Sequence, residues 1–453
     1  MKILMISLGC DKNLVDTENM LGMLSQDGHT FTDDEQEAEA VIVNTCCFIG
    51  DAKEESIHTI LEMAQLKEDG KCRILLVAGC LAQRYRQEIL KEIPEVDGLL
   101  GTASYDRIRE VLKQADKRQR EHLETWEKPV CMEKLDRLPE PEAGRILTTG
   151  GHYAFLKIAE GCDKHCTYCI IPSLRGSYRS VPMEHLVAEA EQLAKNGVKE
   201  LILVAQETTR YGLDLYGKKA LPELLHRLAK ISGIYWIRIQ YCYPEEITDE
   251  LIETIKKEEK ICHYLDIPIQ HASDDILRRM GRRTDQAKIR QIVEKLRREI
   301  PDIALRTTLI SGFPGETSED HEELLAFVDE MEFERLGVFA YSAEEDTPAA
   351  GFADQIPEEL KAERREEVME LQQEIAFEKS EAMVGRILDV MIEGKVADEP
   401  AYVARTYMDA PGVDGYLFVN SGELFMSGDF VRVRVTGAAE YDLIGEVYDE
   451  FAK

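Results

Sequence analysis

Short apolar runs alternate with amphipathic stretches over the N-terminal part of the chain. The alternation predicts strands at residues 2–8, 40–45, 72–78 and 98–100, with helices near 14–26, 52–67, 83–93 and 104–114. Short apolar runs between helices are typical of a parallel sheet that is covered on both faces. We therefore predict an N-terminal parallel α/β domain over residues 1–117. Residues 118–147 are rich in charge and proline, which predicts a linker.

A second alternating pattern begins after this linker and predicts six more strands. They fall at 154–158, 201–205, 236–240, 264–269, 305–310 and 336–341, with helices such as 183–195, 285–299 and 319–331 between them. Successive strand–helix units of this kind predict a partial (β/α)6 barrel over residues 148–378, left open because a closed barrel has eight units. Functional groups of such folds lie at the C-terminal ends of the strands.

The last part of the chain has a third pattern. A charged stretch at 357–383 predicts a long helix, and short alternating runs at 387–392, 402–407, 416–419, 430–435 and 443–448 predict five strands. These strands suit a small C-terminal antiparallel β-barrel over residues 379–453, of the oligonucleotide-binding size class. The fold class is therefore α/β, with a small all-β domain at the end.

The charge balance narrows the classes of partner. Of 453 residues, 87 are Asp or Glu and 55 are Lys or Arg, so the formal net charge is −32. Such a chain repels nucleic acid as a whole and better suits a basic protein or a small molecule. No apolar run approaches the ~18 residues of a membrane helix, and the first strand does not resemble a signal peptide. We therefore expect a cytoplasmic protein without a membrane partner.

The strongest chemical signal is the run Cys162-Asp-Lys-His-Cys166-Thr-Tyr-Cys169, which directly follows the first predicted barrel strand. Three closely spaced thiolates can converge on one metal centre, and soft sulfur ligands select zinc or iron–sulfur clusters. Zinc would need a fourth ligand, which His165 could supply. Three ligands on a four-iron cluster would leave one iron open. The spacing and the barrel context favour the cluster.

A second set of cysteines is spread over the N-terminal domain. Cys10, Cys46 and Cys80 each follow a predicted strand, with separations of 36 and 34 residues, one strand–helix unit each. Equivalent positions in successive parallel units end at the same edge of a sheet, so we expect the three thiols to meet. Each also precedes a helix, whose N-terminus favours a thiolate. Three unrelated buried cysteines would not explain this repeated placement.

The other cysteines are weaker candidates. Cys47 adjoins Cys46, and because neighbouring side chains diverge, only one of the two should be a ligand; Cys46 keeps the spacing and is the predicted one. The remaining four have no partner pattern and are expected to be buried or inert. They are Cys72, Cys131, Cys242 and Cys262.

Four residues outside the cysteine sets are candidate cofactor contacts. Tyr168 lies inside the three-cysteine run and could stack on an adenine. Gly312, Gly315 and Glu316 belong to a Gly-Phe-Pro-Gly-Glu loop after the fifth predicted barrel strand. Glycine in such a loop exposes backbone to a ligand, although a plain turn would have the same composition.

Together these motifs resemble those of radical S-adenosylmethionine (SAM) methylthiotransferases. The CxxxCxxC loop is similar to that of radical SAM enzymes, and the N-terminal cysteine set and the small C-terminal barrel resemble the family's N-terminal and TRAM domains. The resemblance covers essentially the whole chain and implies two [4Fe–4S] clusters and SAM as cofactors. It implies that the SAM-binding cluster is held by Cys162, Cys166 and Cys169, and that an auxiliary cluster carrying the sulfur is held by Cys10, Cys46 and Cys80.

The resemblance also implies a reaction and its partners. Electron transfer into SAM yields a 5′-deoxyadenosyl radical, which removes a hydrogen from an unactivated carbon where the methylthio group is then attached. A second SAM supplies the methyl group. The reaction further requires a sulfur donor and a low-potential electron donor such as a flavodoxin or ferredoxin.

Two branches of this family differ in substrate. One modifies an adenosine beside the tRNA anticodon, and the other modifies the β-carbon of an aspartate in small-subunit ribosomal protein twelve. The segment Leu8-Gly-Cys-Asp-Lys-Asn13 resembles LGCPKN of the second branch, with Asp11 in place of proline. Gln206-Glu-Thr-Thr-Arg-Tyr-Gly212 resembles its QDT--YG, with Glu207 in place of aspartate, whereas Val181 stands where the family commonly has arginine.

The charge of the predicted C-terminal barrel is an independent argument about the substrate. Residues 379–453 contain seven basic and fourteen acidic side chains, a net charge of −7. A barrel that grips tRNA should be basic, whereas an acidic barrel suits a basic ribosomal protein, although an acidic bias of the whole proteome would look the same. We therefore expect ribosomal protein twelve, free or in the ribosomal subunit, as the substrate. The alternatives are a tRNA adenosine methylthiotransferase and a non-catalytic iron–sulfur carrier.

Overall fold

A computed structural model of the chain describes residues 1–122, 127–141 and 144–448. The chain forms two compact units. The first, called here the cysteine unit, comprises Met1–Thr148, Ala159–Val181 and Ser342–Ala350. The second, called the barrel unit, comprises Thr149–Ile158, Pro182–Tyr341 and Gly351–Lys453. All six predicted ligand cysteines belong to the cysteine unit.

The cysteine unit is built on a six-stranded sheet in which every ladder is parallel. In spatial order its strands are Thr30–Phe31, Lys2–Ser7, Ala40–Thr45, Ile74–Gly79, Gly98–Leu100 and Val130–Cys131. Its helices are Asp11–Gln26, Gly50–Asp69, Cys80–Arg84, Arg86–Glu92 and Ile108–Arg120. The predicted parallel α/β architecture is confirmed.

Alternate strand residues face opposite layers of helices, which explains the unbroken apolar runs. Val41 and Val43 pack in one buried cluster with Ile60 of the helix Gly50–Asp69. Ile42 packs on the other face, in a cluster with Leu24. The apolar surface on both faces of the sheet is therefore removed from water. This burial stabilises the fold by about 25 cal/mol for each Å2 of apolar surface.

Two edge strands of this sheet were not predicted. Thr30–Phe31 and Val130–Cys131 are two residues each, too short to produce an alternating pattern. The second lies inside the predicted linker, so part of that linker contributes to the sheet. Residues 123–126 and 142–143 of the linker lie outside the described residues.

A hairpin-like segment completes the cysteine unit. The short strands Ala159–Glu160 and Arg179–Ser180 pair antiparallel, and the helix Ile171–Arg175 lies between them. This ladder brings together the two ends of the chain segment that contains the CxxxCxxC run. That run is therefore held at both ends by backbone pairing.

The barrel unit contains an open parallel sheet of six strands in sequential order, as a partial (β/α)6 barrel requires. Its strands are Tyr153–Lys157, Glu200–Val204, Trp236–Ile239, Ile261–Asp266, Ala304–Ser311 and Arg335–Ala340. Its helices are Met183–Lys195, Leu213–Tyr216, Leu221–Ala229, Asp249–Lys257, Asp274–Arg279, Gln286–Glu299, Ser318–Met331 and Glu358–Glu381. None of the helices found in the described part of the chain is both long and apolar enough to cross a membrane.

The C-terminal strands close into a five-stranded barrel. The strands are Ile387–Lys395, Ala401–Arg405, Leu417–Asn420, Phe430–Ala439 and Asp442–Val447. Four ladders are antiparallel as predicted, but Leu417–Asn420 pairs parallel with Asp442–Val447. Strand direction cannot alternate all the way around a ring with an odd number of members, so closure forces one parallel ladder.

Buried ion pairs join the small barrel to the parallel sheet. Glu200, fully buried, accepts from Arg238 Nε and from Arg405 Nη2, each at 2.7 Å. Burial alone would raise the pKa of Glu200, but the attraction of Arg405 and Arg238 outweighs it and lowers that pKa. The two buried guanidinium groups therefore share the Glu200 carboxylate as a counter-charge. Arg405 also pairs with Glu393 at 2.7 Å.

We expect Glu200→Gln to destabilise the barrel unit by about 3–5 kcal/mol, because it leaves buried guanidinium groups without their counter-charge. Urea unfolding followed by circular dichroism measures the effect. The matched control is Glu253→Gln, which removes an exposed pair with Lys257 and should leave the free energy of unfolding nearly unchanged, because solvent screens such pairs. Equal losses for the two variants would contradict this role of Glu200.

Candidate metal and cofactor sites

The register of the N-terminal sheet aligns the three strand ends that precede Cys10, Cys46 and Cys80. Ser7 pairs with Asn44, and Asn44 pairs with Ala78. Each cysteine follows its aligned strand residue by two or three positions. The three cysteines therefore leave the sheet at one edge, as the spacing predicts.

Close backbone approach brings the first two cysteine loops into contact. Gly9 has a left-handed backbone with φ +86°, and a Cβ built there would lie 2.8 Å from the Sγ of Cys46. Only glycine fits beside that sulfur without displacing it. The side chain of Asn13 ties the same loops by donating to the backbone oxygens of Leu8 at 3.0 Å and Thr45 at 2.9 Å.

Burial and mutual repulsion disfavour negative charge on the thiols of this set. Burial raises the pKa of the Cys46 thiol to about 12, and repulsion from Cys80 and Cys10 adds to the rise. Burial likewise raises the pKa of Cys80, with Arg175 acting in the opposite sense. Three thiolates at this place need positive charge beside them, which the irons of a cluster would provide. The donor set therefore fits a metal cluster.

Cys46 and Cys47 have different surroundings. Cys47 is fully buried and belongs to the apolar cluster that contains Ile60 and Met63. Ser56 holds the backbone of Cys46. The Oγ of Ser56 accepts a hydrogen bond from the Cys46 N at 3.1 Å and donates one to the Cys46 O at 2.8 Å. Packing does not separate the two, because Cys80 shares the apolar cluster of Cys47. The contact of the Cys46 sulfur with the Gly9 loop favours Cys46, whose role as the ligand stays a prediction.

The second cysteine set is held in one tight loop. The backbone N of Cys169 donates to the oxygen of Cys166 at 3.0 Å, and Lys164 N donates to the Sγ of Cys162 at 3.4 Å. Cys162 and Cys166 are buried, and Cys169 is partly exposed. His165 is exposed, which disfavours it as a fourth ligand and so disfavours a zinc site. Tyr168 is partly buried in the same loop.

The segment Ser342–Ala350 contacts the chain that follows Cys47 and the loop that contains the CxxxCxxC run. The Oγ of Ser342 accepts from the N of Gly50 at 3.2 Å, and Ala349 N donates to the oxygen of Thr167 at 2.9 Å. Glu344 forms a buried ion pair with Arg84 at 3.1 Å. This segment thereby supports the loops that follow Cys47 and Cys166, and no sequence motif had indicated it.

Arg175 was also missed in the sequence, although it ends the helix that directly follows the second cysteine set. Its side chain is 2% exposed, and its Nη1 lies 2.9 Å from Asp16 and 3.1 Å from Glu160. Its Nη2 donates to the Asn13 side chain and lies 3.6 Å from the Sγ of Cys80. A charged residue after Ile-Pro-Ser-Leu was the signal that could have drawn attention to it.

No group of three or more His, Cys, Asp or Glu side chains within residues 1–122, 127–141 and 144–448 is arranged to hold a single metal ion.

The other predicted cofactor contacts lie in the barrel unit. Gly312 and Gly315 both have left-handed backbones, with φ +73° and +82°. The Oε2 of Glu316 accepts from the backbone N of Gly312 at 2.8 Å and of Phe313 at 3.1 Å, and its Oε1 pairs with Arg364 at 2.9 Å. Glu316 therefore stabilises the shape of this loop, and direct contact with SAM stays a prediction for all three residues.

Comparison with protein families agrees with the three-part organisation. Residues 2–101 match the Uncharacterized protein family UPF0004, residues 156–328 match the Radical SAM superfamily, and residues 384–447 match the TRAM domain. Radical SAM enzymes use SAM and a [4Fe–4S] cluster, so these cofactors follow from the family. The predicted presence of a radical SAM domain followed by a TRAM domain is confirmed, and the predicted domain bounds stay predictions.

Solved structures share the fold at low sequence identity. The radical SAM methyltransferase TsrM from Kitasatospora setae is 13% identical, with a TM-score of 0.53 over 75% of this chain and 72% of that chain. The cobalamin-dependent SAM radical enzyme OxsB is 14% identical, with a TM-score of 0.53 over 82% of this chain and 56% of that chain.

Curated relatives match along the whole length. A protein of Lachnoclostridium phytofermentans is 64% identical over 98% of this chain and 99% of its own length. Proteins of Acetivibrio thermocellus and Clostridioides difficile are 50% and 48% identical, each over 100% of this chain and over 99% and 100% of their own lengths. All three are named ribosomal protein uS12 methylthiotransferase RimO. The chain therefore belongs to the RimO family of methylthiotransferases, within the radical SAM superfamily.

Proposed function

We propose that this enzyme attaches a methylthio group to the β-carbon of an aspartate in ribosomal protein uS12, small-subunit ribosomal protein twelve. The observation that carries the proposal is the full-length match to uS12 methylthiotransferases, 64% identical in one case. The two three-cysteine sets within one unit support it, since the reaction needs both a radical source and a sulfur carrier. We expect the reaction to take place in the cytoplasm, where ribosomal proteins are assembled.

Each cysteine set has a separate role in this proposal. Cys162, Cys166 and Cys169 would hold the [4Fe–4S] cluster that binds SAM, and Cys10, Cys46 and Cys80 would hold a second, auxiliary cluster. When bound, the first cluster supplies the electron that cleaves SAM, and the second presents sulfur. A low-potential flavodoxin or ferredoxin and a sulfur donor complete the proposed set of partners.

The protein's own groups hold these centres in place and limit their contact with water. Lys164 N donates to the Cys162 sulfur, and the guanidinium of Arg175 lies beside the Cys80 sulfur. Four of the six thiols are buried, whereas Cys10 and Cys169 are partly exposed. Buried thiolates with one partly exposed member are suited to a cluster that is protected yet open to a ligand on one side.

The surface charge of the small barrel favours a protein substrate over tRNA. In residues 387–447, seven acidic side chains and three basic ones are exposed. Asp409 and Asp414 do not contribute to this surface, because they pair with Arg335 and Arg306. The remaining negative surface would repel phosphate and attract a basic ribosomal protein.

Mass spectrometry of cells that lack the gene tests the proposed substrate. We expect the methylthio group to disappear from uS12 and to remain on tRNA nucleosides, and a plasmid copy of the gene should restore the modification of uS12. Loss from tRNA alone would establish the tRNA alternative and refute the charge argument. Unchanged modification of both would favour the non-catalytic carrier.

Replacing Cys166 by alanine should abolish SAM cleavage, because two thiolates cannot hold the SAM-binding cluster in its open-iron form. Formation of 5′-deoxyadenosine under anaerobic conditions with dithionite measures this. About half of the iron should remain, in the auxiliary cluster. The control Cys72→Ala removes a buried thiol that is assigned no role and should cleave SAM normally; undiminished cleavage by Cys166→Ala would refute the ligand assignment.

Replacing Cys46 by alanine should remove about half of the iron and leave SAM cleavage intact, since only the auxiliary cluster loses a ligand. Methylthio transfer should be lost. Cys47→Ala is the matched neighbour and should retain both iron and transfer, at a stability cost from the lost packing. The opposite pattern, with iron lost only from Cys47→Ala, would show that the wrong neighbour was chosen.

A further inference from the structure

The environment of Arg175 goes beyond what a structural arginine needs. The residue ends the helix Ile171–Arg175 and is buried. Its Nη1 is shared by the carboxylates of Asp16, at 2.9 Å, and Glu160, at 3.1 Å. Burying one cation with two anions is expensive, and apolar side chains of similar volume generally stabilise such a site as well or better. A functional reason for the charge is therefore worth seeking.

The second guanidinium nitrogen points to that reason. Nη2 donates to the Asn13 side chain and lies 3.6 Å from the Sγ of Cys80, within range of an N–H···S hydrogen bond. Asn13 in turn ties the loops around Cys10 and Cys46 through Leu8 and Thr45. The guanidinium thus touches the sulfur of one member of the N-terminal cysteine set and the residue that positions the other two.

Arg175 also belongs to the segment that contains the other cysteine set. The backbone oxygen of the next residue, Gly176, accepts from the N of Cys162 at 3.0 Å. Gly176 has φ +74°, and a Cβ there would lie 2.3 Å from the oxygen of Leu135. The end of the helix therefore has a fixed position relative to both Cys162 and Cys80.

We propose that Arg175 is a positioning residue that sets the reduction potential of the auxiliary cluster through its contact with the Cys80 sulfur. The proposal rests on the proposed function, which assigns that cluster to Cys10, Cys46 and Cys80. Hydrogen bonds to cluster sulfurs and nearby positive charge stabilise the reduced form, in which the cluster has gained one electron, and so raise the potential. Asp16 and Glu160 orient the guanidinium and moderate its charge.

The test is an electron paramagnetic resonance redox titration of the auxiliary cluster alone. The full chain carries Cys162→Ala, Cys166→Ala and Cys169→Ala, is reconstituted anaerobically with iron and sulfide, and is titrated with dithionite. In this background Asp16→Asn removes one negative charge and should shift the potential upward. Adding Arg175→Gln to Asp16→Asn removes the donor to sulfur, and only Glu160, rather than two carboxylates, then loses its pairing with the guanidinium.

At a fixed potential, the ratio of reduced to oxidised cluster should be about tenfold lower in the double variant than in Asp16→Asn. This corresponds to a reduction potential that is about 59 mV lower for a one-electron couple. Arg175→Lys should recover part of the shift, because lysine keeps the charge but lacks the planar fork. The control Arg335→Gln breaks a buried pair with Asp409 in the other unit and should leave the potential unchanged.

Three other results would count against the proposal or its basis. Equal potentials with and without Arg175 would overturn the tuning role. Loss of the cluster from both Arg175 variants, with unchanged circular dichroism, would overturn it as well and make Arg175 an assembly residue. Absence of any four-iron signal in the background variant, before Arg175 is changed, would instead refute the auxiliary cluster of the proposed function.

Discussion

The alignment of three parallel strand ends is the constraint on which the proposed chemistry of this protein depends. Because Ser7, Asn44 and Ala78 lie side by side in the sheet, cysteines far apart in sequence leave it at one edge. Hydrogen bonds from Asn13 and the glycine at position 9 then bring the loops into contact. A single slipped register would separate the thiols, so the buried sheet core that fixes the register also fixes the site.

Much of this arrangement could be predicted from residue patterns. The repeat of strand, cysteine and helix gave Cys10, Cys46 and Cys80, because parallel units place equivalent residues at one edge. The CxxxCxxC run was recognisable because its ligands are close in sequence. Arg175 and the segment Ser342–Ala350 could not be found this way, since each acts through long-range contacts that leave no periodic signal. The two-residue edge strands escaped for a similar reason, as they are shorter than any hydrophobic period.

In the small barrel, some of the acidic residues are paired with arginines and are not available to a partner. Its sequence is strongly acidic, but Asp409, Asp414 and Glu393 are engaged with arginines rather than exposed to a partner. The exposed acids that remain still outnumber the exposed bases, so the electrostatic preference for a basic protein survives with a smaller margin. The pairs of Asp409 with Arg335 and of Asp414 with Arg306 attach the barrel to the parallel sheet, so acidic residues serve both attachment and, in our proposal, substrate choice.

The central claim is that one structural unit holds two clusters, each on its own three cysteines. Iron-edge anomalous diffraction from anaerobically grown crystals of the reconstituted enzyme tests it most directly. We predict two separate iron peaks, one bonded to Cys10, Cys46 and Cys80 and the other to Cys162, Cys166 and Cys169. A single peak, or a peak bonded to Cys47 in place of Cys46, would contradict the account.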